Sequence, residues 1–245
     1  RVIIMYALLP GLLAGLATAL GCLIVILARP PGRRALAVTL GGAAGVMLAV
    51  VLLDLIPAAL NTGTPLETIL GIAAGIALLW VVDFLFTNRP TTSSLHRGTA
   101  MRQMGYMMAI GISLHDLPEG IAIAGAYAVG GGLGPLIALS IALHNIPEGI
   151  ATAAPLLMGG LRPVHILLTV SVVSLFTPLG TLIGIFLIQL SPGHLSFLLA
   201  LAAGAMIYLI KDELLPSAQD QSMFWSWFGV AAGYFILWFA LHLAG

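Results

Sequence analysis

One short pattern occurs twice in this chain, and it restricts the fold more than any other feature. It reads His115-Asp116-Leu117-Pro118-Glu119-Gly120, and again His144-Asn145-Ile146-Pro147-Glu148-Gly149. Both copies sit inside long apolar runs, where an uncompensated ionisable group is costly. On a helix His115 and Glu119 are four residues apart and share a face, as do His144 and Glu148. Asp116 and Asn145 each lie three residues before the glutamate of their copy. Two such helices side by side would bring two imidazoles, two carboxylates and two further oxygen ligands to one point. That arrangement predicts a metal site inside a membrane. Two neutral histidines hydrogen-bonded across a helix interface would account for a lone motif, but not for two matched clusters that carry acids.

The prolines point the same way. A proline in a helix interior removes one hydrogen bond and frees the carbonyl four residues back. Pro118 would free Leu114, and Pro147 would free Leu143. Irregular backbone at membrane depth is tolerated where it is buried in protein or lines a watery cavity. Each copy is therefore expected on a kinked helix with polar groups at the kink.

Composition sets the class. Of 245 residues, 60% are hydrophobic and 7% charged, against roughly 25% charged in soluble domains. The mean hydropathy is +1.11. The expectation is an all-α polytopic membrane protein, a single transmembrane domain over 1–245. The formal net charge is zero, so no nucleic acid or acidic partner is implied. Cys22 stands alone, which excludes an intrachain disulfide. The sequence opens at Arg1 rather than methionine, which predicts a trimmed chain. Residues 3–28 look too long for a cleaved leader and lack its basic start.

A span needs about 20 mostly apolar residues, and eight candidates appear. They run over 3–28, 35–60, 66–86, 104–130, 134–158, 163–190, 194–215 and 222–244. Pro30, Pro31 and Gly32 punctuate the first gap, and Ser191-Pro192-Gly193 the gap after the sixth span. Thr64-Pro65-Leu66-Glu67 reads as a capping box with proline at the first helical position. The longest polar segment, Thr87 to Arg102, is too short for a domain, and its single His96 is no metal-binding tract.

Basic residues predict the orientation. Arg29, Arg33 and Arg34 follow span one; Arg89, Arg97 and Arg102 follow span three. Arg162 follows span five, and Lys211 lies near the end of span seven. If the spans alternate, all are on one side, and the other has only Arg1. The basic side is expected in the cytoplasm, in a multi-pass inner (cytoplasmic) membrane protein with both termini outside. Glycines four apart recur at Gly11/Gly15, Gly41/Gly45, Gly71/Gly75, Gly180/Gly184 and Gly229/Gly233. Such spacing lets membrane helices approach closely.

Few other polar residues fall within the spans. Asp54 precedes Pro57, Asp83 is late in span three, and Asp212 and Glu213 precede Pro216. Asp83 reads equally well as a residue snorkelling near a helix end. Asp54, Asp212 and Glu213 read as a path for metal. Met47, two helical turns before Asp54, carries a thioether that can bind soft metals.

The paired H-x-x-P-E-G motifs, on the fourth and fifth of eight spans, resemble the ZIP (Zrt/Irt-like) transporters of divalent metals. Three further stretches are similar: Met47-Leu48 through Asp54-Leu55-Ile56-Pro57, Ser174-Leu175-Phe176-Thr177-Pro178-Leu179-Gly180, and Lys211-Asp212-Glu213-Leu214-Leu215-Pro216. Short interhelical loops look like the bacterial members. The resemblance implies an eight-helix bundle in a 3+2+3 arrangement, the first and last three helices related by an inverted repeat around the central pair. It implies a primary site of His115, Glu119, His144 and Glu148 with Met47 nearby. A secondary site would combine Asp116 and Asn145 with the shared Glu119 and Glu148. Asp54 would lie on the outer approach and Asp212 and Glu213 on the cytoplasmic exit. Metal would move inward by alternating access of one helix group against another. Many relatives with a two-metal centre carry a glutamate just before the proline of the sixth helix, where this chain has Thr177.

Two imidazoles and two carboxylates suit zinc's nitrogen and oxygen preference. The expected partners are divalent cations, zinc first, with iron(II), manganese, cobalt and cadmium open, together with the lipid bilayer and, as a candidate, a second copy of the chain. The metal would be cargo rather than cofactor. An intramembrane zinc protease would need a His-Glu-x-x-His string, which is absent from the sequence. A membrane-embedded metal-dependent enzyme or a non-transporting receptor is the alternative reading.

Overall fold

The computed structural model describes residues 6–28, 32–87, 97–130, 132–190 and 192–244. Arg1, Arg29, Pro30, Pro31, Arg89, His96 and Ser191 lie outside them. The described residues form eight long helical elements and no strand. These are α1 (Leu8–Ala28), α2 (Arg33–Thr62), α3 (Pro65–Thr87), α4 (Arg97–Val129), α5 (Leu133–Met158), α6 (Pro163–Leu190), α7 (Leu195–Gln221) and α8 (Met223–Ala244). Among the described residues, 7 helices are long and apolar enough to cross a membrane; α4 is not among them. Its own His115, Asp116 and Glu119, with its N-terminal arginines, dilute its hydropathy. The protein is an all-α polytopic membrane protein. It is apolar outside, where Leu13, Trp80, Phe84, Phe186, Trp227 and Phe235 are exposed, and its mainly apolar interior encloses a cluster of buried polar residues.

Local chemistry sets the helix ends. The Thr64 N–H donates to Glu67 Oε2 (2.9 Å) and the Glu67 N–H to Thr64 Oγ1 (3.2 Å), which completes the capping box at the start of α3. Gly130 and Gly132, with φ of 83° and 84°, turn the chain tightly from α4 into α5. α6 is interrupted at Ser174–Leu175, four and three residues before Pro178. The proline ring cannot sit against the Ser174 carbonyl of a regular helix. The helix restarts at Phe176, which places Thr177 in its first turn.

Two helices widen into π-helix, α2 over Val50–Leu55 and α7 over Ile210–Leu214. Each wide turn precedes a proline, Pro57 or Pro216, and contains the carbonyl four residues back with which that ring would clash. Each also carries acid: Asp54 in one, Asp212 and Glu213 in the other. The motif helices take a different course, with α4 and α5 staying α-helical through Pro118 and Pro147.

The helices pack as two groups. α1, α4, α5 and α6 join through the pairs α1–α5, α4–α6 and α4–α5; α2, α3, α7 and α8 join through α2–α8, α3–α7 and α2–α7. This set of pairs maps onto itself when α1 exchanges with α6, α2 with α7, α3 with α8 and α4 with α5. The expected glycine pairs sit at these crossings. A Cβ on Gly41 or Gly45 would strike the backbone of Ser226 or Val230 on α8, and one on Gly75 that of Leu201 on α7. In the other group, a Cβ on Gly15 would strike Ser174, on Gly180 Leu117, and on Gly149 Thr18. Between the groups the glycines meet side chains instead. Gly125 faces Leu199, and Gly111 faces the Glu213 carboxylate.

Candidate metal centre

The α4–α5 contact brings the two motifs together. His115 is 2% exposed, and Asp116, Glu119, His144, Asn145 and Glu148 are fully buried. His144 Nε2 lies 2.9 Å from Glu119 Oε1, His115 Nε2 lies 3.4 Å from Glu148 Oε2, and the latter ring is 3.7 Å from Asp116 Oδ1. Each histidine thus faces the glutamate of the other motif rather than its own. Two overlapping donor groups result: His115, Asp116 and Glu148, and Glu119, His144 and Glu148. Within each, one donor atom per residue lies within 4.8 Å of the others. Donors around one tetrahedral zinc sit roughly 3.4 Å apart, given bonds of about 2.1 Å. A small contraction onto an ion would close either group, and Glu148 belongs to both.

Satisfaction of the polar atoms carries the argument further. Buried polar groups normally have partners. Here both His115 nitrogens, both Asp116 oxygens, both Glu148 oxygens, Glu119 Oε2, His144 Nδ1, Asn145 Oδ1 and Thr177 Oγ1 have no hydrogen bond. Such a concentration of buried donors on two adjoining helices is what coordination of an ion would use. The donors are nitrogen and oxygen, three of them carboxylates, and that set suits a divalent cation.

Asn145 is held by its other end: its amide donates to the Ala14 carbonyl on α1 at 2.9 Å. The amide oxygen is left for the site. Thr177 reaches it from α6, where its hydroxyl lies beside Asp116 and its backbone packs on Gly120. Met47 is fully buried on α2, which packs against α5. Asp54 is buried in the π-helical part of α2, with Oδ2 unpartnered.

Asp212 and Glu213 stand apart from the motifs but share a cavity of about 310 Å³ with His115 and Glu148. The Glu213 carboxylate fills the notch left by Gly111, one helical turn before His115; a Cβ there would lie 2.7 and 3.0 Å from its oxygens. Asp83 and Tyr208 also line this cavity, and neither residue's part was legible in the sequence. The cavity lies on the same side of the motifs as the arginines. Arg102 at the start of α4 donates to the Gly159 carbonyl beyond α5, and Arg33 at the start of α2 to the Asp220 carbonyl near the end of α7.

Residues 87–240 match the family model described as ZIP Zinc transporter. The chain is also similar to curated proteins named zinc transporter ZupT. One from Chlorobium luteolum is 35% identical over 234 residues, 87% of this chain and 88% of that protein. One from Corynebacterium efficiens is 34% identical over 88% of each chain, and one from Streptococcus mutans 30% identical over 85% of each.

Proposed function

Because this chain belongs to the ZIP family, we propose that it carries zinc across the membrane through the buried centre between α4 and α5. It is a divalent metal transporter, and zinc is the cargo its relatives are named for. The observation that supports the route is the concentration of unpartnered nitrogen and oxygen atoms on the two motifs. His115, Glu119, His144 and Glu148, with Asp116, would hold the ion. Asn145 Oδ1 and Met47 would complete its surroundings. Asp54 would receive metal from one side, and Asp212 and Glu213 would take it to the other. The arginine-bearing ends would face the cytoplasm, α4 would be the eighth span, and both termini would lie outside. The cavity would then open inward. Iron(II), manganese, cobalt and cadmium, which share the donor preference in part, are competing cargoes for the same centre.

Zinc-dependent fluorescence inside vesicles bearing the purified protein tests the reading. Saturable zinc entry, absent from empty vesicles and without turnover of any substrate, is the expected result. A protein that leaves zinc outside while hydrolysing a membrane substrate would favour the metal-dependent enzyme instead.

Acidity should weaken binding in a defined direction. Ligand histidines bind metal only when neutral, and the ordinary histidine pKa is about 6.5. Protons therefore compete with zinc as pH falls through that range, and two histidines steepen the loss. A zinc titration of purified protein from pH 8 to about 5 checks this. Flat affinity across the range would mean that the histidines are not ligands.

A further inference from the structure

The residue after the motif histidine is an acid in one copy, Asp116, and an amide in the other, Asn145. The helices flanking the two motifs match that difference. Beside Asp116 stands Thr177 of α6, whose hydroxyl has no hydrogen bond and can donate. Beside Asn145 stands the Ala14 carbonyl of α1, which can only accept. The correspondence that exchanges α4 with α5 also exchanges α6 with α1. An acid next to a donor and an amide next to an acceptor are the two compatible combinations.

We propose that the Ala14 carbonyl makes Asn145 an oriented, neutral ligand: it takes the amide nitrogen at 2.9 Å and so leaves Oδ1 for the metal, a place that aspartate cannot fill. The orientation follows from the chemistry of the contact. A carbonyl oxygen has nothing to donate, so the amide must turn its nitrogen to it. Oδ1 is then left buried and without a hydrogen bond, on the residue that follows His144 and lies three before Glu148. An ionised carboxylate in the same place has acceptor oxygens and no donor. It would set one of them against the Ala14 oxygen, and buried acceptors facing each other are costly. Turning away to relieve that contact would carry the other oxygen off the ion.

The frame around this bond does not depend on it. A Cβ on Gly149 would strike the Thr18 carbonyl of α1, and one on Gly21 the Ile146 carbonyl of α5. The two backbones are thus in contact on both sides of the Asn145 amide. Asn145 acts here as a positioned ligand rather than as the fastener of α1.

The inference rests on the metal centre proposed above, and the experiment separates the two. Zinc affinity is measured by equilibrium binding with purified wild type, Asn145→Leu, Asn145→Asp, Asp116→Asn, and Asp116→Asn combined with Asn145→Asp. Visible absorption of bound cobalt(II) is recorded for the wild type and Asn145→Leu. Asn145→Leu is similar in shape and puts no charge against the carbonyl, so it keeps the test open should the acid variants fail to fold. It is expected to melt near the wild type without metal, to bind zinc about tenfold more weakly, the lower end of what support of a metal ligand is worth, and to shift the cobalt bands as one oxygen leaves the shell. Asn145→Asp should also weaken zinc by about tenfold, although its added negative charge would by itself tighten a divalent ion. Asp116→Asn loses an acid and should bind more weakly, and returning the charge at 145 in the combined variant should not restore affinity. Wild-type affinity and an unchanged cobalt spectrum in Asn145→Leu overturn the proposal. So does tighter zinc binding in Asn145→Asp, or recovery of wild-type affinity in the combined variant. A wild type that binds neither zinc nor cobalt would overturn the metal centre itself.

Discussion

Glu148→Ala is expected to reduce zinc uptake by about a hundredfold or more while the protein still inserts and folds. Partners of metal ligands alone are worth about 10- to 100-fold in affinity, and Glu148 belongs to both donor groups. It also supplies one of the carboxylates that offset the ion's charge at low dielectric. Folding should survive because the change removes one buried carboxylate whose closest partner is His115 Nε2, at 3.4 Å. The variant removes a buried acid and leaves a small space. Two measurements separate site from scaffold. Zinc flux should vanish, and the rise in melting temperature that zinc gives the wild type through binding should vanish with it. Melting without zinc should change little. Glu119→Ala should match it in flux and cost more stability, because the His144 Nε2 contact that it removes is shorter, 2.9 Å against 3.4 Å. Wild-type flux in both variants would remove these residues from the transport path.

The second large effect concerns stoichiometry. Two zinc ions would bring four positive charges to a centre whose acids are Asp116, Glu119 and Glu148. An uncompensated charge in a dry helix bundle costs on the order of several kcal/mol. Thr177, fully buried beside Asp116, offers a neutral hydroxyl and no fourth carboxylate. Wild type is therefore expected to bind one zinc tightly, with any second ion at least about a hundredfold weaker, since 2.7 kcal/mol already corresponds to that factor. Thr177→Glu should bring the second affinity within about tenfold of the first and slow flux by holding metal longer. It should also destabilise the metal-free protein, because a fourth carboxylate is buried unpaired. Equilibrium zinc binding, metal content and melting of both proteins decide the matter. Two equally tight ions in the wild type would show that Thr177 does not limit the second site.

The helices were legible because apolar length and motif spacing are local properties. The expected spans agree with the helices to within a few residues at most ends. The exceptions have local causes. α4 starts at Arg97 rather than 104, because its polar first turns add to the helix without adding to its hydropathy. α7 continues to Gln221 rather than stopping near 215, because Pro216 opens the helical segment Leu215–Gln221 behind a π-helical turn instead of ending the helix. The convergence of the two motifs could be read from their spacing. The crossed pairing of each histidine with the other motif's glutamate could not, since it depends on how α4 and α5 are rotated against each other. The Asn145 tether to Ala14, the Glu213 notch at Gly111 and the hydrogen bond from Tyr208 on α7 to Asp83 on α3 likewise join residues that only tertiary packing makes neighbours. An acid a few residues ahead of a proline, in Asp54 to Pro57 and Asp212 to Pro216, was the available signal for the two wide turns.

The distribution of glycine contacts bears on what can slide. Where two backbones touch, each helix is keyed to its neighbour, and displacement would drive main-chain atoms into one another. Those keyed joints lie inside each group of four helices. At the joint between the groups the glycines meet side chains, Leu199 against Gly125 and a glutamate against Gly111, which can turn and find new neighbours. The motif donors, with Thr177, all ride on one group, and Asp54, Asp212 and Glu213 ride on the other. If the transport reading holds, a passenger compartment would shift along its track with the cargo still strapped in, and the straps would need to loosen only at either end of the journey.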